Sequence, residues 1–277
     1  MAAETPKRVP AVPAGLLLLQ DVVFLGLAGL AHGVGVLAAL QVVAWLAMAG
    51  VWWPLALPVV LFVYPLGMLL VVMVVDRLVP HAAPGRHPMG GTAFVLWGLH
   101  LVLYRVARLQ PAALLIRYSN VLRWIWLRGL GTNAAFTAQL SGDVNLLDHR
   151  PVTLGHGCVV GAEALLSTHL VLKGQLLVAP VTVGEGALVG ARCGLAPGAT
   201  VGPRAMLQVG VAVGLDAVVE ADARVGGYCT LDSGSRVGAG ATLEARSHLT
   251  PGMVVPAGER WGGIPARKIA QDTGQDG

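Results

Sequence analysis

The chain has 277 residues, 55% of them hydrophobic and 12% charged, with a net charge of +4; that length leaves room for two domains. Residues 1–132 carry nine Lys/Arg against three Asp/Glu and the remainder ten against twelve, so the basic surplus belongs to the first half. A basic surplus set among long apolar stretches points to lipid rather than nucleic acid, and three cysteines without a CxxC pair exclude a thiol metal site or disulfide framework.

Residues 1–20 read as an N-terminal cytoplasmic segment carrying Lys7 and Arg8. Residues 21–78 hold two uncharged stretches, 22–50 and 55–75, each at or beyond the roughly 20 apolar residues that cross a bilayer core. They predict a transmembrane α-helical hairpin. Its link, Val51-Trp52-Trp53-Pro54, is short and aromatic, as suits an interfacial belt, and Arg77 and Arg86 follow the second span. With Lys7 and Arg8 at the other end, the positive-inside rule puts both ends in the cytoplasm. The first stretch is too long for a cleaved leader and lacks a clear small-residue cleavage site. His32 and Gln41 inside it are expected to make helix-to-helix hydrogen bonds.

Residues 79–131 read as a linker, with His81 and His87 among Pro and Gly, followed by basic amphipathic interfacial helices. Arg105, Arg108, Arg117, Arg123 and Arg128 alternate with Trp97, Tyr104, Tyr118, Trp124 and Trp126, and Pro111 should separate two helices. Their arginines would meet anionic headgroups. A third span over residues 93–106 would be short, and would put the rest of the chain outside the cell.

From Val183 to Trp261 an apolar residue recurs every six positions: Val183, Val189, Leu195, Val201, Leu207, Val213 and so on, often followed by Gly. Four residues further on lies a column of small residues, among them Ala187, Cys193, Ala199, Ala205 and Cys229. One large and one small inward residue per six describe a flat strand and a tight corner, where Gly eases the backbone. Three flats make one triangular coil, so residues 132–270 read as a parallel β-helix and 271–277 as a tail. Leu154, Val160, Leu166 and Leu172 form an earlier coil in another register. Cys158, Cys193 and Cys229 fall in the small column and read as core filler.

The beat slips between Leu172 and Val183. There Lys173-Gly174 stands between two apolar runs, which predicts a small projecting hairpin, with His169 at its base and facing outward. Breaks in a strict pattern are where function tends to sit.

Around this break the sequence resembles the hexapeptide-repeat acyltransferases. Leu147-Asp148, Pro151-Val152-Thr153-Leu154-Gly155 and Ser167-Thr168-His169 are similar to the segment that ends in the catalytic histidine of the maltose and galactoside acetyltransferase group. Gly262-Gly263-Ile264-Pro265-Ala266-Arg267-Lys268-Ile269 is similar to that superfamily's closing motif. The resemblance implies a left-handed coil, His169 as general base and Asp148 as acceptor contact. It also implies Arg267 and Lys268, beside Trp261, against the phosphates of an acyl-CoA or carrier-protein phosphopantetheine thioester. A homo-oligomer is implied as well.

A narrower resemblance joins the apolar helices to Val255-Pro256 and Trp261-Gly262-Gly263-Ile264-Pro265-Ala266. These look like the carboxy-terminal units of membrane-bound nonribosomal peptide synthetases of the poly-lysine synthetase type. That implies an aminoacyl thioester donor brought by a carrier protein or synthetase, since no adenylation or carrier domain is present here.

The chemistry implied is acyl transfer to a small-molecule amine or hydroxyl acceptor, with an imidazole taking the proton. Asp148 and Glu163 are both candidates to orient His169, and His149 is a candidate for acceptor binding. No metal is expected: a hydratase like the γ-class carbonic anhydrases needs three converging histidines, and residues 183–246 contain none. A non-catalytic membrane scaffold is the remaining alternative.

Overall fold

A computed structural model describes residues 14–109 and 111–269; Lys7, Arg8 and the tail 271–277 lie outside the described residues. Two compact units emerge. One holds the described residues up to Leu114 together with Val171–Leu176, the other Leu115–Leu170 and the chain from Leu177 onward.

In the first unit, α1 (Ala14–Met48) and α2 (Trp53–Leu78) pack against each other. At 1.5 Å per residue they are about 52 and 39 Å long, and each is long and apolar enough to cross a membrane. Helix α1 begins before the expected span and takes in Gln20 and Asp21. The expectation for His32 holds, because its Nδ1 shares a hydrogen bond with Tyr64 Oη of α2; Gln41 instead lies exposed on α1. The two helices approach so closely at Gly35 and Gly67 that a Cβ on Gly35 would stand 2.6 Å from Tyr64 O, and one on Gly67 2.9 Å from Gly35 Cα. Small residues at such a crossing let two backbones come together without a hydrophobic drive.

Where two amphipathic helices were expected there are three: α3 (Thr92–Ala107), α4 (Ala112–Tyr118) and α5 (Asn120–Gly129). Pro111 separates the first two. Ser119 starts the third, its Oγ accepting from Leu122 N–H at 3.3 Å, as an N-cap serine does. Helix α3 packs on α1 and α2 and buries Val102, Leu103, Tyr104 and Val106. The arginines are less available to headgroups than expected. In the second unit Arg117 pairs with Asp143, and Arg123 donates to the carbonyls of Ile116, Arg117 and Leu140. Arg128 Nη1 donates to Asn133 Oδ1 at 3.1 Å.

The remainder of the second unit is a three-sided parallel β-solenoid of short strands, its sheets holding seven, eight and six of them. Val183 stacks on Val201, Val201 on Val219, Val219 on Val237 and Val237 on Val255. Each neighbour in that ladder is the equivalent residue of the next coil, eighteen positions further along the chain. The large inward column is buried from Val183 to Val255 and the small one from Ala187 to Ser247, and half-buried Trp261 ends the large one. Burying one such aliphatic side chain stabilises the fold by about 1.5–3 kcal/mol.

An additional coil precedes Leu154, with Ala134 under Leu154, Leu140 under Val160 and Leu146 under Leu166. Leu172 is a correction. An uninterrupted coil would stack it on Leu154, but that place belongs to Val183, and Leu172 is 52% exposed. The chain leaves the coil after Thr168 and returns at Ala179, whose N–H donates to Thr168 O at 2.8 Å. Between these points runs the expected hairpin, His169–Leu172 against Gln175–Val178. Its turn residues Lys173 and Gly174 have φ of 49° and 74°, as a two-residue type I′ turn requires.

The glycines that follow the inward aliphatics serve a purpose other than the one expected. Cβ atoms at Gly184, Gly190, Gly202 and Gly226 would stand 2.4–2.7 Å from backbone atoms of the next coil, so close stacking requires glycine there. Positive φ falls two residues later, at Gly186, Arg192, Gly198, Arg204 and Gly210.

Candidate functional site

The site is built by stacking. Leu146 pairs with Leu166 on adjacent coils, so two residues further along Asp148 and Thr168 stand at equivalent points of neighbouring turns. Parallel strands lie about 4.8 Å apart, within side-chain reach. Thr168 Oγ1 donates to Asp148 Oδ2 at 2.9 Å, and His169 Nδ1 lies 2.5 Å from the same oxygen. Asp148 is 7% exposed, Thr168 is fully buried, and the His169 side chain is 15% exposed. The hairpin's first strand begins at His169, where Ser167 Oγ donates to His169 O at 2.7 Å.

A carboxylate can only accept, so Nδ1 of the neutral ring carries the proton and Nε2 is left with a lone pair. A short hydrogen bond to a buried carboxylate also fixes the ring's orientation. It favours the imidazolium that forms when Nε2 takes up a proton, because the positive charge then faces a negative one. The arrangement is chemically competent to abstract a proton from a nucleophile placed beyond Nε2.

The other candidates are placed differently. Glu163 sits at a corner with φ of 58° and turns away to Arg192, whose Nε donates to Glu163 Oε2 at 2.8 Å; Asp148 is thus the carboxylate that meets His169. His149, expected to face an acceptor, is 7% exposed, with its ring edge-on to Trp126 at 5.8 Å. Its carbonyl accepts from Thr132 Oγ1 at 2.8 Å.

Trp261, Arg267 and Lys268 cluster at the far end of the solenoid. The last strand, Ala266–Lys268, folds back antiparallel on Arg260–Gly263. Trp261 Nε1 and Lys268 Nζ each donate to Glu259 at 2.7 Å, and together they hold its carboxyl below the usual carboxylate range. Arg267 is exposed. Stacking runs from Val160 through Val189, Leu207, Val225 and Leu243 to Trp261. Five such steps put the closing motif roughly 24 Å along the axis from the coil of Val160.

Sequence reasoning missed Thr168 as the residue that shares Asp148 with the histidine. The signal was the stacking of residue 148 on residue 168, hidden by the two extra residues between Leu146 and Leu166 relative to a regular coil.

Residues 180–215 match a family model described as the hexapeptide repeat of succinyl-transferase. Among curated proteins none matches the sequence. Among solved structures the chain is similar to AntD, an N-acyltransferase from Bacillus cereus, in complex with dTDP and 3-hydroxybutyryl-CoA. That likeness has 15% identity and a TM-score of 0.45, covering 55% of this chain and 87% of that one. A mutant of perosamine N-acetyltransferase from Caulobacter crescentus, bound to CoA and GDP-perosamine, is 22% identical with a TM-score of 0.30, covering 55% and 66%. A putative acetyltransferase from Bacillus cereus is 20% identical with a TM-score of 0.25, covering 50% and 80%.

Proposed function

We propose that this hexapeptide-repeat chain is a membrane-anchored acyltransferase in which His169, oriented by Asp148, acts as general base. The observation that carries the reading is the 2.5 Å contact between His169 Nδ1 and buried Asp148, itself held by Thr168. In the step proposed, an acceptor amine or hydroxyl attacks the thioester carbonyl carbon while its proton passes to His169 Nε2. The C–S bond then breaks, and the leaving thiolate takes that proton from the imidazolium. The acylated acceptor and the free thiol leave with charge balanced, and no covalent enzyme intermediate is needed. General base catalysis contributes about 10²- to 10⁴-fold; positioning of donor and acceptor supplies the rest.

The donor is a thioester on coenzyme A or on a carrier's phosphopantetheine. Arg267 and Lys268 are both exposed cations of the closing motif and are the residues assigned to its phosphates, with Lys268 and Trp261 joined through Glu259. An extended phosphopantetheine arm along the solenoid would link that end to His169. The left-handed coil, a homo-oligomer and an aminoacyl donor, with peptide-bond formation as in the poly-lysine-synthetase-type units, belong to the same proposal. So do a multi-pass anchor through α1 and α2 and a solenoid on the cytoplasmic side, the side indicated by Arg77 in the last turn of α2 and Arg86 after it.

The test uses the full-length chain in detergent or lipid discs, given acyl-CoA and carrier-bound thioesters with amine and hydroxyl acceptors. Thiol release dependent on acceptor is expected from the wild type and is expected to fall at least about 100-fold in His169→Ala, with the circular dichroism spectrum unchanged. Equal turnover in that variant would refute the assignment. No turnover by either protein with any donor would favour a scaffold.

A further inference from the structure

Within the first unit, far along the chain from the residues of the proposed acyl-transfer site, three side chains of ligand type converge. Asp76 lies in the last turn of α2, His81 in the segment just after it, and His100 in the middle of α3. Asp76 Oδ1 is 3.3 Å from His81 Nε2 and 3.7 Å from His100 Nε2, and one ligand atom from each residue lies within 4.8 Å of the other two. Asp76 is fully buried and His100 is 4% exposed, while the His81 side chain keeps 21% of its surface.

The groups around these atoms orient them. His100 Nδ1 donates to Leu96 O at 2.8 Å, which leaves its Nε2 with the lone pair. Among the described residues that buried Nε2 has no hydrogen-bond partner. Tyr104 Oη donates to Asp76 Oδ1 at 2.9 Å, tying down the carboxylate. A buried imidazole lone pair facing a carboxylate at 3.7 Å is a costly arrangement of two acceptors unless an electron-poor centre lies between them. A carbonyl on one ring nitrogen with the other left for a ligand is the usual support of a metal-bound histidine.

The spacing fits one ion class. Tetrahedral zinc, with bonds of about 2.0–2.1 Å, holds its ligand atoms roughly 3.4 Å apart, between the two distances found here. We infer that Asp76, His81 and His100 bind a divalent transition-metal ion, with zinc as the fitting case, and that its fourth position opens toward the exposed edge of His81. The ion fastens the segment after α2 and helix α3 to the end of α2. This departs from the expectation of a metal-free chain and from the view of His81 as an ordinary linker residue; the linker hides the signal, since the three ligands share no recognisable sequence spacing.

The experiment takes the full-length chain, purified in detergent without chelator or polyhistidine tag, and measures its metal content. About one zinc per chain is expected, and after its removal Co²⁺ should give the visible bands of a tetrahedral site. Because Asp76 and His100 are buried, the deciding variant is His81→Ala at the partly exposed ligand. It should bind zinc at least about tenfold more weakly with an unchanged helical spectrum, and zinc should raise the melting temperature of the wild type but not of this variant. A wild type that takes up neither zinc nor Co²⁺, or a His81→Ala protein that binds zinc as tightly, overturns the inference. A histidine–carboxylate ion pair alone would give the first of these results. Metal content is read independently of thioester turnover, so failure here and failure of the acyl-transfer reading are distinct.

Discussion

His169 finds a carboxylate because a solenoid turns sequence distance into a stacking step: Asp148, more than one coil earlier, ends beside Thr168 and accepts from both residues. The three cysteines illustrate the opposite use of an inward place. Burial pushes the Cys158 thiol up to about 11 and raises those of Cys193 and Cys229 as well, so none supplies a thiolate at neutral pH. The native protein should therefore react with a thiol reagent such as Ellman's only after denaturation; rapid labelling of the folded chain would contradict this placement. The cysteines and His169 follow from the six-residue beat or its interruption, whereas Asp148 is singled out only by the family resemblance. The fates of Glu163 and His149 were not legible. Whether a corner residue turns to a neighbour's arginine, or a loop histidine rolls under a tryptophan, depends on the adjoining coil and helix rather than on local spacing.

At the scale of elements, the beat from Val183 to Trp261 is legible because every coil repeats the same two inward demands. The hairpin was legible from Lys173-Gly174. Leu172 was misplaced because the excursion between Thr168 and Ala179 consumes residues without advancing the stack, and a column read through it continues onto a side chain that points to solvent. The role of glycine was misread for a related reason: closeness to the next coil cannot be seen in one coil alone. Two substitutions separate the roles. Gly226→Ala would put a Cβ 2.4 Å from Ala245 N and should cost about 3 kcal/mol by forcing two coils apart. Gly234→Ala, at φ of 70° with open space around its Cβ, should cost only about 1–2 kcal/mol of backbone strain. Denaturant unfolding of both variants measures the difference, and a larger loss at Gly234 would contradict the assignment.

On the scale of the whole molecule, charge alone separates basic residues 1–132 from the remainder, but the two units divide at Leu114 instead, and the packing of α3 on α1 and α2 is not legible, because an apolar helix face is the same whether lipid or protein covers it. Each coil of the solenoid stabilises its neighbours, and exposed ion pairs run between coils, such as Arg204 with Asp222 and Arg236 with Glu220. Individually such pairs contribute little. Their hydrogen bonds nevertheless hold the carboxyls of Asp222 and Glu220 below their ordinary values, as Lys268 does for Glu259. A carboxyl that titrates lower in the folded chain than in the unfolded one adds stability at neutral pH and loses it as pH falls through the carboxylate range. The melting temperature of the metal-free protein should thus be level from neutral pH down to about 5 and fall below about 4; a rise on acidification would contradict these pairings.

The pair His169 and Asp148 is proposed to act as one unit in acyl transfer. Its most direct test is kcat/KM for thioester transfer in the wild type, Asp148→Asn, His169→Ala and the double variant. A unit predicts that the double variant is no slower than His169→Ala alone. Losses that multiply, or a His169→Ala enzyme as fast as the wild type, would contradict it.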